Sequence, residues 1–218
     1  MELFHSNPVF IFIGIAAAFL SLVYYFKWKR RKDLEELASS MGLAFDPGGP
    51  DLALLEGTGI ELFRLGHSRK AFNLVRIQSG RGNISVFDYS LVTGSGRNSH
   101  TASFTLALIE CSGCSIPVFD LKPESFIYKL GEAIGFKDID LPAFPLFSDK
   151  YRLTAPDETS VHLFFTPQRA AWFERNLGLR VQGAPGHLVV FKRAGQLPVN
   201  SWQGFMEEMK AFAAEVLR

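Results

Sequence analysis

Eighteen consecutive residues without a charge, Val9 to Phe26, run directly into Lys27, Lys29, Arg30, Arg31 and Lys32. At about 1.5 Å rise per residue the run makes a helix roughly 27 Å long, close to the hydrocarbon thickness of a thin bilayer. Lipid offers no partners for free backbone N–H and C=O groups, and a helix satisfies them internally. Asn7 is placed to cap this helix and Pro8 suits its first turn. Tyr24, Tyr25 and Trp28 stand near the basic end, where amphipathic rings favour the lipid–water boundary.

A buried helix of a soluble protein and a cleaved secretory signal are the competing readings. A signal needs its positive charge before the apolar run, whereas the opening MELFHSNP has no Lys or Arg. The five basic residues follow the run and oppose translocation. The pattern predicts an uncleaved single span over 9–26, a short external tail over 1–8, and the remainder of the chain in the cytoplasm.

The chain has 218 residues and a net charge of +1. Without the five basic residues and Glu2 of positions 1–32, 18 Lys and Arg stand against 21 Asp and Glu, a net −3. The domain beyond the anchor therefore lacks the electrostatic footprint of a nucleic-acid binder. The basic flank is explained by topology, and it also suits anionic headgroups. Twenty-one Phe against three Trp suit a dense core with few polar obligations. Two Cys make no disulfide framework, and a cytoplasmic setting predicts them reduced.

Leu34, Leu37, Ala38 and Met41 fall at helical spacing, so residues 27–45 read as the basic flank and a juxtamembrane helix, with Gly42 placed to end it. Asp46-Pro-Gly-Gly-Pro50 reads as a turn or linker, which puts the start of a soluble domain at 51 and its end at 218. Residues 72–78, 84–92 and 101–110 are rich in β-branched and aromatic residues and are joined by glycine-bearing connections, as hairpins are. Ala102, Phe104, Leu106 and Leu108 share one face of the third strand, and 117–121 reads as a further strand. A helix from Pro123 carries Phe126, Ile127, Leu130 and Ile134 with Gly135 at its end. Residues 141–147, with two prolines, read as extended. Thr166-Pro167 starts another helix, with Trp172, Phe173 and Leu177 inward and Gly178 at the stop. A strand over 187–193 precedes a last helix with Trp202, Phe205, Met209, Phe212 and Val216 on one side. Hairpins first and interleaved helices later predict an α+β fold, a mostly antiparallel sheet with helices packed on one face.

No chemistry-bearing motif is complete. Cys111-Ser-Gly-Cys114 has the spacing of a redox pair but ends a strand instead of opening a helix, and it has no second pair for zinc. Gly94-Ser-Gly-Arg97 lacks the rest of a phosphate-binding fingerprint and reads as a hairpin connection. Asp88 shares a strand face with Ile84, Val86 and Val92, where an acid needs a partner, and Arg76 on the neighbouring strand is a candidate. The five histidines show no catalytic or ligand spacing. Asn83-Ile-Ser85 matches a glycosylation sequon that a cytoplasmic location would silence. No metal site and no cofactor is expected.

The anchor with its Lys/Arg stop, the helix LEELASSMGLAF, the central DYSLVTGSGRN, then PVFDLKPE and FSDKYRL resemble an uncharacterised family of bacterial single-pass membrane proteins with a cytoplasmic α+β domain. The resemblance spans nearly the whole chain. It implies the bacterial cytoplasmic membrane and brings no substrate, cofactor or catalytic residue.

The expectation is a membrane-anchored domain that binds a protein partner, with Asp88, Tyr89, Gly94, Ser95, Gly96 and Arg97 as candidate surface. An enzyme with a site near Asp88, Tyr89 and Arg97 is the first alternative. A domain holding a lipid or small apolar ligand in its Phe-rich interior is the second.

Overall fold

The computed structural model describes residues 8–80, 82–124, 138–192 and 195–217. Its first element, α1 (Pro8–Ser40), is one uninterrupted 33-residue helix. The helix is long and apolar enough to cross a membrane, and the apolar side chains from Val9 to Trp28 lie largely exposed along it. Beyond Arg30 the same helix enters the core, where Leu34 and Ala38 are buried. Gly42, at φ 68°, ends it, and the Leu43 N–H donates back to the Ala38 carbonyl, as in a left-handed cap. Asn7, the expected cap at the other end, lies outside the described residues.

Phe45–Asp46 forms β1, which pairs with Val75 and Leu74, and a turn follows it. Then follow α2 (Leu52–Gly57), β2 (His67–Ser79), β3 (Gly82–Thr93), β4 (His100–Glu110), β5 (Phe119–Pro123), α3 (Pro145–Lys150), β6 (Tyr151–Thr154), α4 (Glu158–Phe164), α5 (Pro167–Arg175), β7 (Arg180–Ala184), β8 (His187–Phe191) and α6 (Trp202–Val216). The strands form one eight-stranded sheet in the order β1-β2-β3-β4-β8-β7-β5-β6, and every neighbouring pair is antiparallel. This is the α+β architecture that the succession of hairpins and helices implies.

Two apolar layers bury the centre of the sheet. On one face Val75, Ile77, Ile84, Val86, Ala107 and Ile109 join the end of α1 and the inner sides of α3 to α6. On the other, Phe87, Tyr89, Leu91, Ala102, Phe104, Leu106 and Leu108 lie under Leu55 of α2 and the turn Ile60–Phe63. Cover on both sides leaves the middles of β3 and β4 buried residue after residue. The stripe of α6 is inward as its spacing implies, with Trp202, Phe205, Met209, Phe212 and Val216 all buried.

Three expectations are corrected. Residues 145–150 are helical, because Pro145 starts a turn that seats Phe147 against Tyr151, Phe165 and Phe173. Leu177, placed inward by its spacing, is exposed, since α5 ends at Arg175 and the chain turns away. Pro123 ends β5 instead of opening a helix, and the residues expected to continue that helix, Phe126 to Gly135, lie outside the described residues.

Candidate functional site

Asp88 is completely buried, and it is claimed from four directions. Arg30 Nε and Nη2 each donate to its carboxylate at 2.9 Å. Asn73 Nδ2 donates at 2.9 Å and the Thr105 hydroxyl at 2.8 Å. Thr105 stands opposite Asp88 in the β3–β4 register. Asn73 comes from β2 at an irregular pairing between Phe72 and Val75, where its own φ is 58°. A bulge of this kind re-aims a side chain, here into the sheet face. The remaining Arg30 nitrogen, Nη1, donates to the Leu197 carbonyl at 2.9 Å, and the Leu197 N–H donates to Thr105 Oγ1. The guanidinium lies 5.9 Å from the Trp202 ring centroid, within reach of a cation–π attraction.

The partner of Asp88 is thus Arg30 and not Arg76, which is exposed on β2. Of the five flanking cations, one points into the domain. Lys29 and Lys32 instead pair along the helix with Asp33 and Glu35. A fully buried, fourfold-bonded carboxylate has no lone pair left for a substrate. Its chemistry is structural: it holds the base of the apolar helix against the middle of the sheet.

Tyr89 projects to the opposite face, as its parity in the strand requires. It is buried against Phe63, edge to face at 5.4 Å. Its hydroxyl has no hydrogen-bond partner among the described residues, and burial pushes the phenol up to about 12. Asp88 and Tyr89 therefore do not converge on one site.

Gly94, Ser95, Gly96 and Arg97 do lie together, fully at the surface, in the connection from β3 to β4. Gly96–Asn98 makes a single 3-10 turn, closed by the Asn98 N–H on the Ser95 carbonyl. The His67 ring contacts the Gly94 carbonyl at 3.1 Å and so ties the start of β2 to the turn.

At the far end of β4, Cys111 and Cys114 are joined in a disulfide, where the reduced state was expected. They sit on the rim of a cavity of about 770 Å³ shared with Ser160, Leu163, Phe164 and Arg169. Arg169 stacks on the Phe164 ring at 4.4 Å and donates to the Phe164 carbonyl at 2.6 Å; burial lowers its pKa. Phenylalanines of the interior pack on one another, Phe119 on Phe164 and Phe165, and Phe173 on Phe147 and Phe212. Among the described residues, no group of three or more His, Cys, Asp or Glu side chains is gathered to hold a metal.

Neither a family model nor a curated protein matches the chain. Its fold does match the crystal structure of the mycobacterial trehalose monomycolate transport factor A, with a TM-score of 0.56 and 13% identity over 87% of this chain and 96% of that one. At that identity the likeness is one of architecture: the α+β fold resembles that of a mycobacterial transport factor.

Proposed function

We propose that this chain is a membrane-anchored accessory factor of a bacterial cytoplasmic membrane, which binds a protein partner there and assists transport. In this reading the span over 9–26 has its N-terminus outside, and the domain works in the cytoplasm. The observation that carries it is the continuity of α1 with the core through Arg30 and Asp88. A soluble catalyst tethered for convenience needs only a flexible linker. A helix locked into the sheet holds the domain at a set height and angle to the bilayer, which is what a partner embedded in that bilayer requires. The fold shared with a transport factor supports the same reading. Of the surface expected from the sequence, Gly94, Ser95, Gly96 and Arg97 remain exposed.

Two experiments test it. A reporter active only in the cytoplasm, fused after Arg218, is expected to be active; signal only from a reporter that works outside reverses the topology. Photo-reactive residues at the exposed positions Leu54, Leu163 and Leu177 are expected to crosslink one discrete membrane protein in native membranes. No adduct at any of them, with the protein folded and membrane-bound, removes the partner reading.

A further inference from the structure

The anchor helix leaves the domain at the end of the sheet that carries the β3–β4 turn. After Arg30, α1 leads to Phe45, which pairs with Val75 and so stands level with Val86, on the Gly82 side of Asp88. Residues before Arg30 therefore project past Asp88 toward Thr93 and the turn. From Asp88 to Thr93 the strand advances up to about 17 Å at roughly 3.3 Å per residue. From Arg30 back to Phe26, the last residue of the uncharged run, the helix advances only about 6 Å. The headgroup layer is itself about 5–7 Å deep per leaflet. A sheet end that outreaches the helix, by the whole of this margin where the two run parallel, meets the bilayer surface, and tilting of the helix sets how deeply.

The composition of that end fits such a contact. On the turn side of Asp88, β2, β3, β4 and the turn itself carry Arg69, Lys70 and Arg97 and no carboxylate. Asp88 is consumed by Arg30, and Arg69 pairs with Glu56. Lys70, Arg97, His67 and His100 stand exposed on the turn side of Asp88. The rest of the domain is net acidic. The turn itself, Gly94 to Ser99, has no apolar side chain, which suits headgroups and not the hydrocarbon.

We infer that the β3–β4 turn, with Arg97 and Lys70, is a second membrane contact that rests on anionic lipid headgroups of the bilayer the helix spans. It rests on the reading of α1 as a membrane span. The contact gives the joined helix and domain a second point on the bilayer and so fixes their common tilt. A basic residue near an anionic surface contributes about 1 kcal/mol, or about fivefold in occupancy.

The test uses the full chain in nanodiscs of phosphatidylcholine, alone or doped with phosphatidylglycerol, with a fluorophore on one introduced cysteine and the native disulfide intact. Ser21→Cys reports the span, Ser95→Cys the turn, and Gln78→Cys the opposite end of the sheet. Position 21 is expected to be quenched by acyl-chain nitroxide lipid. Position 95 is expected to be quenched by headgroup nitroxide lipid, more so with phosphatidylglycerol, and position 78 by neither. Arg97→Gln with Lys70→Gln, checked for folding by circular dichroism, is expected to reduce the phosphatidylglycerol-dependent part at least fivefold, and salt to weaken it. Quenching at 95 no greater than at 78, with 21 quenched, overturns the headgroup contact and leaves the anchor standing. Quenching at 95 that ignores phosphatidylglycerol, salt and both substitutions overturns the electrostatic contact. Absence of quenching at 21 overturns the anchor itself and this inference with it.

Discussion

Arg30 and Asp88, 58 residues apart in the chain, meet through two parallel 2.9 Å hydrogen bonds that join the long apolar helix to β3, the strand between β2 and β4. The carboxylate is fully buried and the arginine side chain is 18% exposed. Removing one partner of such a pair leaves an uncompensated charge, whereas removing both does not.

Arg30→Ala is therefore expected to destabilise the domain by about 3 kcal/mol. Arg30→Met combined with Asp88→Leu is expected to lose less than Arg30→Ala alone. Denaturant unfolding of the full chain in detergent checks both. Lys32→Ala, an exposed pair member, serves as the control and should stay within about 0.5 kcal/mol. A loss for Arg30→Ala no larger than this control would mean that the pair does not hold the helix to the sheet.

The β3–β4 turn separates two glycines that look equivalent in sequence. Gly94 has φ 74° and a Cβ there would sit 2.3 Å from the Asn98 carbonyl oxygen, while Gly96 has φ 57° and open space around it. Gly96→Ala is expected to cost about 1–2 kcal/mol, the left-handed penalty alone. Gly94→Ala should cost more, because the backbone carbonyl must also move. Arg97→Ala should stay within about 0.5 kcal/mol. Thermal midpoints of the three variants rank them, and equal midpoints for the two glycine variants would contradict the turn geometry.

Tyr89 and Tyr151 give opposite results on losing a hydroxyl. Tyr151 donates to the Asn176 carbonyl at 3.2 Å, so Tyr151→Phe is expected to cost about 1 kcal/mol. Tyr89→Phe removes a buried hydroxyl without a partner among the described residues and should gain about 1 kcal/mol. Both phenols are raised to about 12, chiefly by burial. The folded state thus keeps its protons where the unfolded chain releases them. Stability is expected to hold below about pH 10 and to fall toward pH 12, by up to about 2–3 kcal/mol per phenol. Tyr89→Phe should remove roughly half of that alkaline loss; an unchanged alkaline slope would mean that Tyr89 ionises as easily folded as unfolded.

The Cys111–Cys114 bridge closes a loop of only four residues. Chain entropy scales with loop length, so reduction should cost no more than about 2 kcal/mol and leave the fold intact. Unfolding curves with and without reductant measure it. Collapse of the fold on reduction would give the bridge a role that its short loop does not predict.

The long apolar helix, the stripe of Leu34 and Ala38 that follows its uncharged run, the three hairpin strands and the stripe of α6 are legible in the sequence because each is a local pattern, read within one segment. The short elements are not: α3 and β6 exist because Phe147 and Tyr151 find the aromatic cluster built by residues far along the chain. Asp88 shows the same division. Its place on an apolar strand face declares that it needs a partner, and its spacing from Val86 and Ile84 gives the face. Arg30 stands one helical turn before Leu34, in phase with Ala38, which is the trace its inward direction leaves in the sequence. Read alone, however, it is one of five cations explained by membrane topology. Only the packing of α1 across the sheet selects it, because a pairing over 58 residues depends on where two elements come to rest and not on the pattern of either one.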